Sequence, residues 1–247
     1  MVTPQPRAVA DRSEQPDAPA DERAGRPDHE VGVGPWPGGP DAWPRTGDGA
    51  LDPRYDPELL EHGDRRNVVD EFRYLTVEAV VADLDTRRHP LHVAIENWGH
   101  DLNIGSVVRT ANAFAAAEVH IVGRRRWNRR GAMVTDRYQH VRHHPTVADL
   151  ADHLGSLPDP VPVWGIDNLP GSRHLETTAV PRRTCFLFGQ EGPGLSDGAR
   201  EACAGTFSIA QFGSTRSINA AAAAAIAMHT WIREHADLGD GEGAWRG

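Results

Sequence analysis

Three polar loops, each set between an apolar strand-like run and a helix-like run, constrain this chain more than any other feature. They read Asn103-Ile-Gly-Ser-Val-Val-Arg109-Thr-Ala-Asn112, then Phe188-Gly-Gln-Glu191-Gly-Pro-Gly194-Leu-Ser196, then Ser217-Ile-Asn219-Ala-Ala. Strands that alternate with helices call for a parallel sheet covered on both faces, and such a sheet gathers its polar loops at the carboxyl ends of its strands. A ligand site at that edge is therefore expected.

The rest of the pattern agrees with this class. Leu91–Ile95 reads as a strand, 103 to 116 as a helix and Glu118–Gly123 as the next strand, which together make a βαβ unit. A helix is expected around Val147 to Leu154, and strands at Val161–Ile166, Thr184–Phe188 and Phe207–Ala210. A short helix follows Ser196, and an alanine-rich helix runs from Ile218 to about Glu234. Before the sheet, Val68, Val69, Phe72, Leu75, Val80, Val81 and Leu84 recur near helical spacing, so 64–90 reads as a helical extension.

Residues 1–63 are rich in Pro, Gly and Asp and lack apolar periodicity, which reads as a disordered acidic tail. Trp36 and Trp43 within it either dock on the folded body or ride loose. The tail explains the charge. The formal −9 of the whole chain divides into −7 over residues 1–63, −2 over a flexible terminus at 236–247, and balance over 64–235, with 19 acidic and 19 basic side chains. Acidity therefore does not argue against a nucleic-acid partner for the body. Residues 124–142 hold seven arginines against one acid, Asp136, and this basic stretch reads as facing RNA through Arg124, Arg125, Arg126, Arg129 and Arg130. His140, His143 and His144 lie beside it, but the arginines oppose a cation and no ligand set is complete in the sequence, so no metal is expected there. There is no apolar run of membrane-spanning length and no signal-peptide core, so a cytoplasmic protein without a membrane partner is expected. Cys185 and Cys203 read as buried thiols.

Each loop also has an ordinary structural explanation. Asn103 is placed to cap its helix, and Arg109 and Asn112, three apart, share a face. Gly189, Gly192 and Gly194 after an apolar strand permit left-handed backbone and close approach to a ligand, yet they match neither a phosphate-binding P-loop nor a dinucleotide fingerprint. Glu191 among them has either a hydrogen-bonding role or a solvated turn position. Ser217 suits a helix cap, whereas Asn219 stands one turn into an otherwise apolar helix, where asparagine is poorly accommodated.

In this order and spacing, Asn103 to Phe114, Leu187 to Ser196 and Ile209 to Ala221 resemble the three signature motifs of the SpoU (TrmH) family of RNA ribose 2′-O-methyltransferases, members of the SPOUT superfamily. The resemblance covers about residues 91–235. It implies an α/β fold, a parallel sheet flanked by helices with a C-terminal deep trefoil knot, that binds S-adenosylmethionine. It also implies a homodimer through the knot helices with the active site shared between chains. Carried over by position, Leu187, Gly189, Gln190, Glu191, Gly192 and Gly194 fall in the second-motif loop, and Ile209, Gln211, Ser217 and Asn219 in the third, as cofactor-binding residues. Arg109 matches the motif arginine, with Asn103, Glu191, Ser217 and Asn219 shaping the pocket around it. A guanidinium with a pKa above about 12 is a poor base, so Arg109 is expected to hydrogen-bond the developing alkoxide or the adjacent phosphate, with the proton passing to phosphate, Glu191 or water.

Three departures stand out. Ala221 stands where many members have a second serine, so a hydroxyl there is not essential; no ribosomal-protein-like domain is recognisable in residues 1–90; and the extended tail helices of some transfer-RNA enzymes are not expected at the C-terminus. On domain makeup alone, transfer RNA is favoured over ribosomal RNA. The alternative is a catalytically silent RNA-binding protein of the same fold.

Overall fold

A computed structural model describes residues 32–99, 103–190 and 192–238. Its centre is a seven-stranded, all-parallel sheet in the order β3-β2-β1-β6-β4-β7-β5, built from β1 (His89–Asn97), β2 (Ala116–Gly123), β3 (Val141–His144), β4 (Val163–Ile166), β5 (Arg173–His174), β6 (Thr184–Phe188) and β7 (Gly205–Ser208). The period of two along each strand sorts the side chains. Leu91, Val93, Ile95, Val119, Ile121, Phe186 and Phe188 face one way, where α3 (Ile104–Ala113) and α6 (Ala220–His235) cover them; Trp231 of α6 is fully buried in that layer. Ala94, Val122, Cys185 and Leu187 face the other way, toward α4 (Val147–Gly155) and α5 (Asp197–Ala202). Gly105 lets α3 settle on the segment after β2: a methyl there would come within 2.7 Å of the Ala132 backbone nitrogen.

The reading of a disordered tail does not hold over residues 32–63. Residues 1–31 lie outside the described residues, but 32–63 fold. Val33 pairs with Asp64, α1 (Pro57–His62) buries Leu60, and Trp36 meets Tyr55 and Tyr74 edge-on with ring centroids 5.8 and 5.2 Å apart. Tyr74 Oη donates to Gly34 O at 2.6 Å. The fully buried Asp64 carboxylate accepts from the Arg66 guanidinium at 2.7 Å and from Tyr74 N at 3.0 Å. Buried hydrogen-bonded ion pairing here does what apolar periodicity does elsewhere, which is why no pattern announced it. The extension at 64–90 contains one α-helix, α2 (Val77–Asp85), capped by Thr76. No helix among the described residues is long and apolar enough to cross a membrane.

Candidate active site

β1 and β6 are hydrogen-bonded neighbours, Ile95 opposite Phe188, so the loops that leave them start side by side. β4 borders β6 and β7 borders β4, which brings the loops after all four strands to one edge. The loops after β4, β6 and β7 enclose a cavity of about 660 Å³, within the range of small-molecule sites. Asp167 and Asn168 beyond β4, Gly189, Gln190, Gly192, Pro193 and Gly194 beyond β6, and Gln211 and Arg216 to Asn219 beyond β7 line it.

The glycine loop is held from three sides. Gln190 and Gly194 bond each other through their backbones at 3.1 and 3.2 Å, closing a tight turn in which a methyl on Gly189 would overlap the Gly194 and Leu195 backbone. Gly194 takes φ +72° and packs on Asp167, whose Oδ2 accepts from Leu195 N at 3.0 Å. From β1, the fully buried Glu96 accepts from Ser196 N at 2.9 Å, Ser196 Oγ at 2.6 Å and Trp98 Nε1 at 2.8 Å; Gln190 Oε1 accepts from Gly99 N at 2.8 Å. Asp167 and Glu96 were not singled out from the sequence. Their only sequence signal is a carboxylate at the carboxyl end of a buried strand.

Of the residues assigned to cofactor binding, Gly189, Gln190, Gly192, Gly194, Ile209, Gln211, Ser217 and Asn219 line the cavity. Leu187 does not. Strand alternation turns its side chain into the core beneath α4 and α5, fully buried beside Leu195 and Ala199, and Phe188 is the strand residue that reaches the cavity. Glu191, assigned to both cofactor binding and catalysis, lies outside the described residues. Gln211 Oε1 is buried without a hydrogen-bond partner among the described residues, an acceptor in the cavity wall that calls for a donor.

Two capping assignments change. Ser217 does not cap α6; Asn219 does, its Oδ1 accepting from Ala221 N at 3.0 Å and Ala222 N at 3.2 Å. Its position before the alanine run is thereby explained, since asparagine is a strong cap and a weak interior residue. Asn103 has no side-chain cap bond in α3; its Oδ1 instead accepts from Asn219 Nδ2 at 2.8 Å, tying the first motif to the third. Replacing Asn219 with alanine is expected to lower stability by about 1 kcal/mol in urea unfolding, and serine is expected to restore most of it. Equal stability of all three proteins would contradict the capping role.

Arg109 sits on α3, exposed, outside the cavity wall, and makes no hydrogen bond or ion pair with the described residues. Beyond β2, the backbone carbonyls of Arg124 and Arg126 accept from Asn97 Nδ2 at 2.7 and 3.0 Å, while Arg124, Arg125, Arg126, Arg129 and Arg130 are all exposed. Arg129 reaches Asp136 at 3.3 Å and lies over the Trp127 ring. The neighbouring histidines diverge: His140 bonds Asp85, His143 bonds Gly123 O, and His144 turns inward to His120.

Residues 90–229 match the SpoU rRNA Methylase family. The chain belongs to this family. It is 28% identical over 166 residues to the tRNA (guanosine(18)-2′-O)-methyltransferase of Escherichia coli K12, covering 65% of this chain and 71% of that one. It also resembles the SpoU methyltransferase AviRb of Streptomyces viridochromogenes, solved in complex with AdoMet, at 25% identity and a TM-score of 0.53, covering 61% of this chain and 60% of AviRb. The chain thus spans about three fifths of the AviRb chain. The A. aeolicus TrmH/SpoU tRNA modifying enzyme shares the SpoU fold at a TM-score of 0.56 and 16% identity, over 64% of this chain and 81% of the other.

Proposed function

We propose that this protein is an S-adenosylmethionine-dependent methyltransferase acting on a ribose 2′-hydroxyl of RNA in the cytoplasm, with transfer RNA preferred to ribosomal RNA. The observation that carries the reading is the cavity itself. In a SpoU-family chain it is walled by the second- and third-motif loops, with Gly189 leaving no room for a side chain and Gln211 offering an unpaired buried acceptor. That wall suits the cofactor: backbone groups of Gln190 to Gly194 and of Ile209 to Ser217 would hold it, and the Gln211 carbonyl would accept from one of its amines. When bound, the cofactor supplies an electrophilic methyl on a sulfonium, so the protein's task is to position the nucleophile and manage its proton. Asp167 and Glu96 keep the cradle rigid. Asn103 and Asn219 join the helix that carries Arg109 to the rim of the cavity.

Arg109 lies outside the cavity of its own chain, which fits a homodimer in which each copy presents Arg109 to the other's cradle. The C-terminal segment 209–219, which lines the cavity before α6 returns against α3, is where the family's knot would be threaded. The tRNA preference rests on the relative from E. coli and on the small irregular fold of 32–86.

Calorimetry with S-adenosylmethionine or its demethylated product tests the cofactor, with one site per chain expected at micromolar affinity; no binding overturns the reading. Mapping ribose methylation in a deletion strain against its parent tests the substrate. A lost mark in transfer RNA supports the preference, and a mark lost only from ribosomal RNA overturns it. The arginine segment gives a separate expectation. Changing Arg124, Arg125 and Arg126 together to alanine should weaken RNA binding and flatten the slope of log affinity against log salt by about 2, with cofactor affinity unchanged. An unaltered slope would remove the segment from the RNA interface.

A further inference from the structure

The sheet face under α4 carries a polar cluster far from the cavity wall. Strand parity places His92 of β1, Glu118 and His120 of β2, and Arg142 and His144 of β3 on that face, and α4 lowers His153 onto them. In register, His92 lies opposite Glu118, and His120 opposite Arg142. His120 is fully buried and His92 nearly so, positions that the core gives to alanine and valine one pleat further along, at Ala94 and Val122. None of these side chains has a part in the methyl-transfer site.

The distances are those of a ligand set. His92 Nδ1 and His120 Nε2 stand 3.1 Å apart, and each is 3.9 Å from Glu118 Oε2. The latter separation is too long for hydrogen bonds, whereas the His92–His120 contact is of hydrogen-bond length, so a bound ion would take the place of the proton shared by the two imidazoles, with the Glu118 carboxylate facing the same point. A triangle with sides of 3.1, 3.9 and 3.9 Å has a circumradius of about 2.1 Å, which is the length of zinc–nitrogen and zinc–oxygen bonds. The partners that orient such ligands are also present. His120 Nδ1 meets His144 Nε2 at 3.0 Å, and Arg142 Nε donates to Glu118 Oε1 at 2.5 Å, leaving Oε2 to the imidazoles. His153 Nε2, 3.1 Å from Glu118 Oε2 and partly exposed, flanks the open side toward solvent. Arg142 is half exposed and ion-paired to Glu118 Oε1, so the carboxylate offsets its charge.

We propose that His92, His120 and Glu118 bind one divalent transition-metal ion, zinc by ligand type, with His153 or water completing a four-coordinate site that clasps β1, β2 and α4. The role is structural, since the site lies on the opposite face from α3 and toward the strand beginnings, whereas the cradle is at the strand ends.

The test uses the full chain after exhaustive dialysis against a chelator. Zinc is titrated by calorimetry and cobalt by visible absorption, with thermal melting alongside, in the wild type, His92→Gln and Glu118→Gln. Expected are one equivalent per chain, the intense absorption of four-coordinate cobalt and a raised Tm in the wild type, with at least about 100-fold weaker binding in both variants. S-adenosylmethionine affinity should be the same in all three. If a variant does not fold, X-ray absorption of the zinc-loaded wild type decides, and imidazole and carboxylate ligands support the proposal. A shell of water oxygens, no saturable uptake, or equal uptake in wild type and variants would overturn it.

Discussion

Replacing Arg109 with lysine is expected to lower kcat for RNA methylation by at least about 100-fold while the affinity for S-adenosylmethionine stays within about twofold of wild type. Both halves of that result come from position. Arg109 does not line the cavity, so removing its guanidinium leaves the cofactor cradle intact. Nor is it engaged with the described residues of its own chain, so its fork is available to the alkoxide or to a phosphate of the RNA. Lysine keeps the charge and loses the planar pair of donors, which separates bidentate hydrogen bonding from simple attraction. The measurement is single-turnover methyl transfer at saturating cofactor. Turnover close to wild type would refute the bidentate role. Mixing also tests where the arginine acts. Arg109→Ala and Gly189→Ala chains, each inactive alone, should regain about a quarter of wild-type turnover when co-assembled in equal amounts, through mixed dimers with one intact site. No recovery would place Arg109 in its own chain's site.

The parts of this fold that the sequence announced are those governed by apolar period. The helix expected at 103–116 is Ile104–Ala113, the strand expected at Thr184–Phe188 has those bounds, and the glycine loop follows it as read. The errors have one physical source: polar side chains whose role is set by neighbours distant in sequence. Asn103 looked like a cap because the next residues are helical, yet its amide is taken by Asn219, 116 residues away. Leu187 was assigned to cofactor binding by motif position, and the pleat turns its side chain into the core while Phe188 lines the cavity.

The same holds at larger scale. β3 was lost inside the arginine stretch because Val141-Arg-His-His144 has no apolar alternation; its buried face is polar, satisfied by Glu118 and His120 on the next strand. Residues 32–63 carry no periodicity because their order comes from the Asp64 ion pair and the Trp36 cluster. The ligand geometry of His92, Glu118 and His120 depends on the register of two strands, which no spacing along the chain encodes.

Gly189→Ala is expected to abolish measurable S-adenosylmethionine binding, a loss of at least about 100-fold, while the sheet still folds. Its added methyl would overlap the main chain of Gly194 and Leu195, so no side-chain rotation relieves it and the turn closed by Gln190 and Gly194 must open. Opening that turn pulls Leu195 N from Asp167 and Ser196 from Glu96, the two anchors that fix the cradle to β4 and β1. Gly192→Ala is the control. Gly192 has φ +95° but nothing within 4 Å of a methyl, so it carries only the local left-handed strain, about 1–2 kcal/mol, with no overlap. Calorimetry on both variants, with circular dichroism to show that each retains its secondary structure, gives the comparison. The cradle depends on closeness of backbone to backbone if Gly189→Ala loses binding and Gly192→Ala weakens it only modestly. If the two behave alike, the close approach at Gly189 has no special part in holding the cofactor.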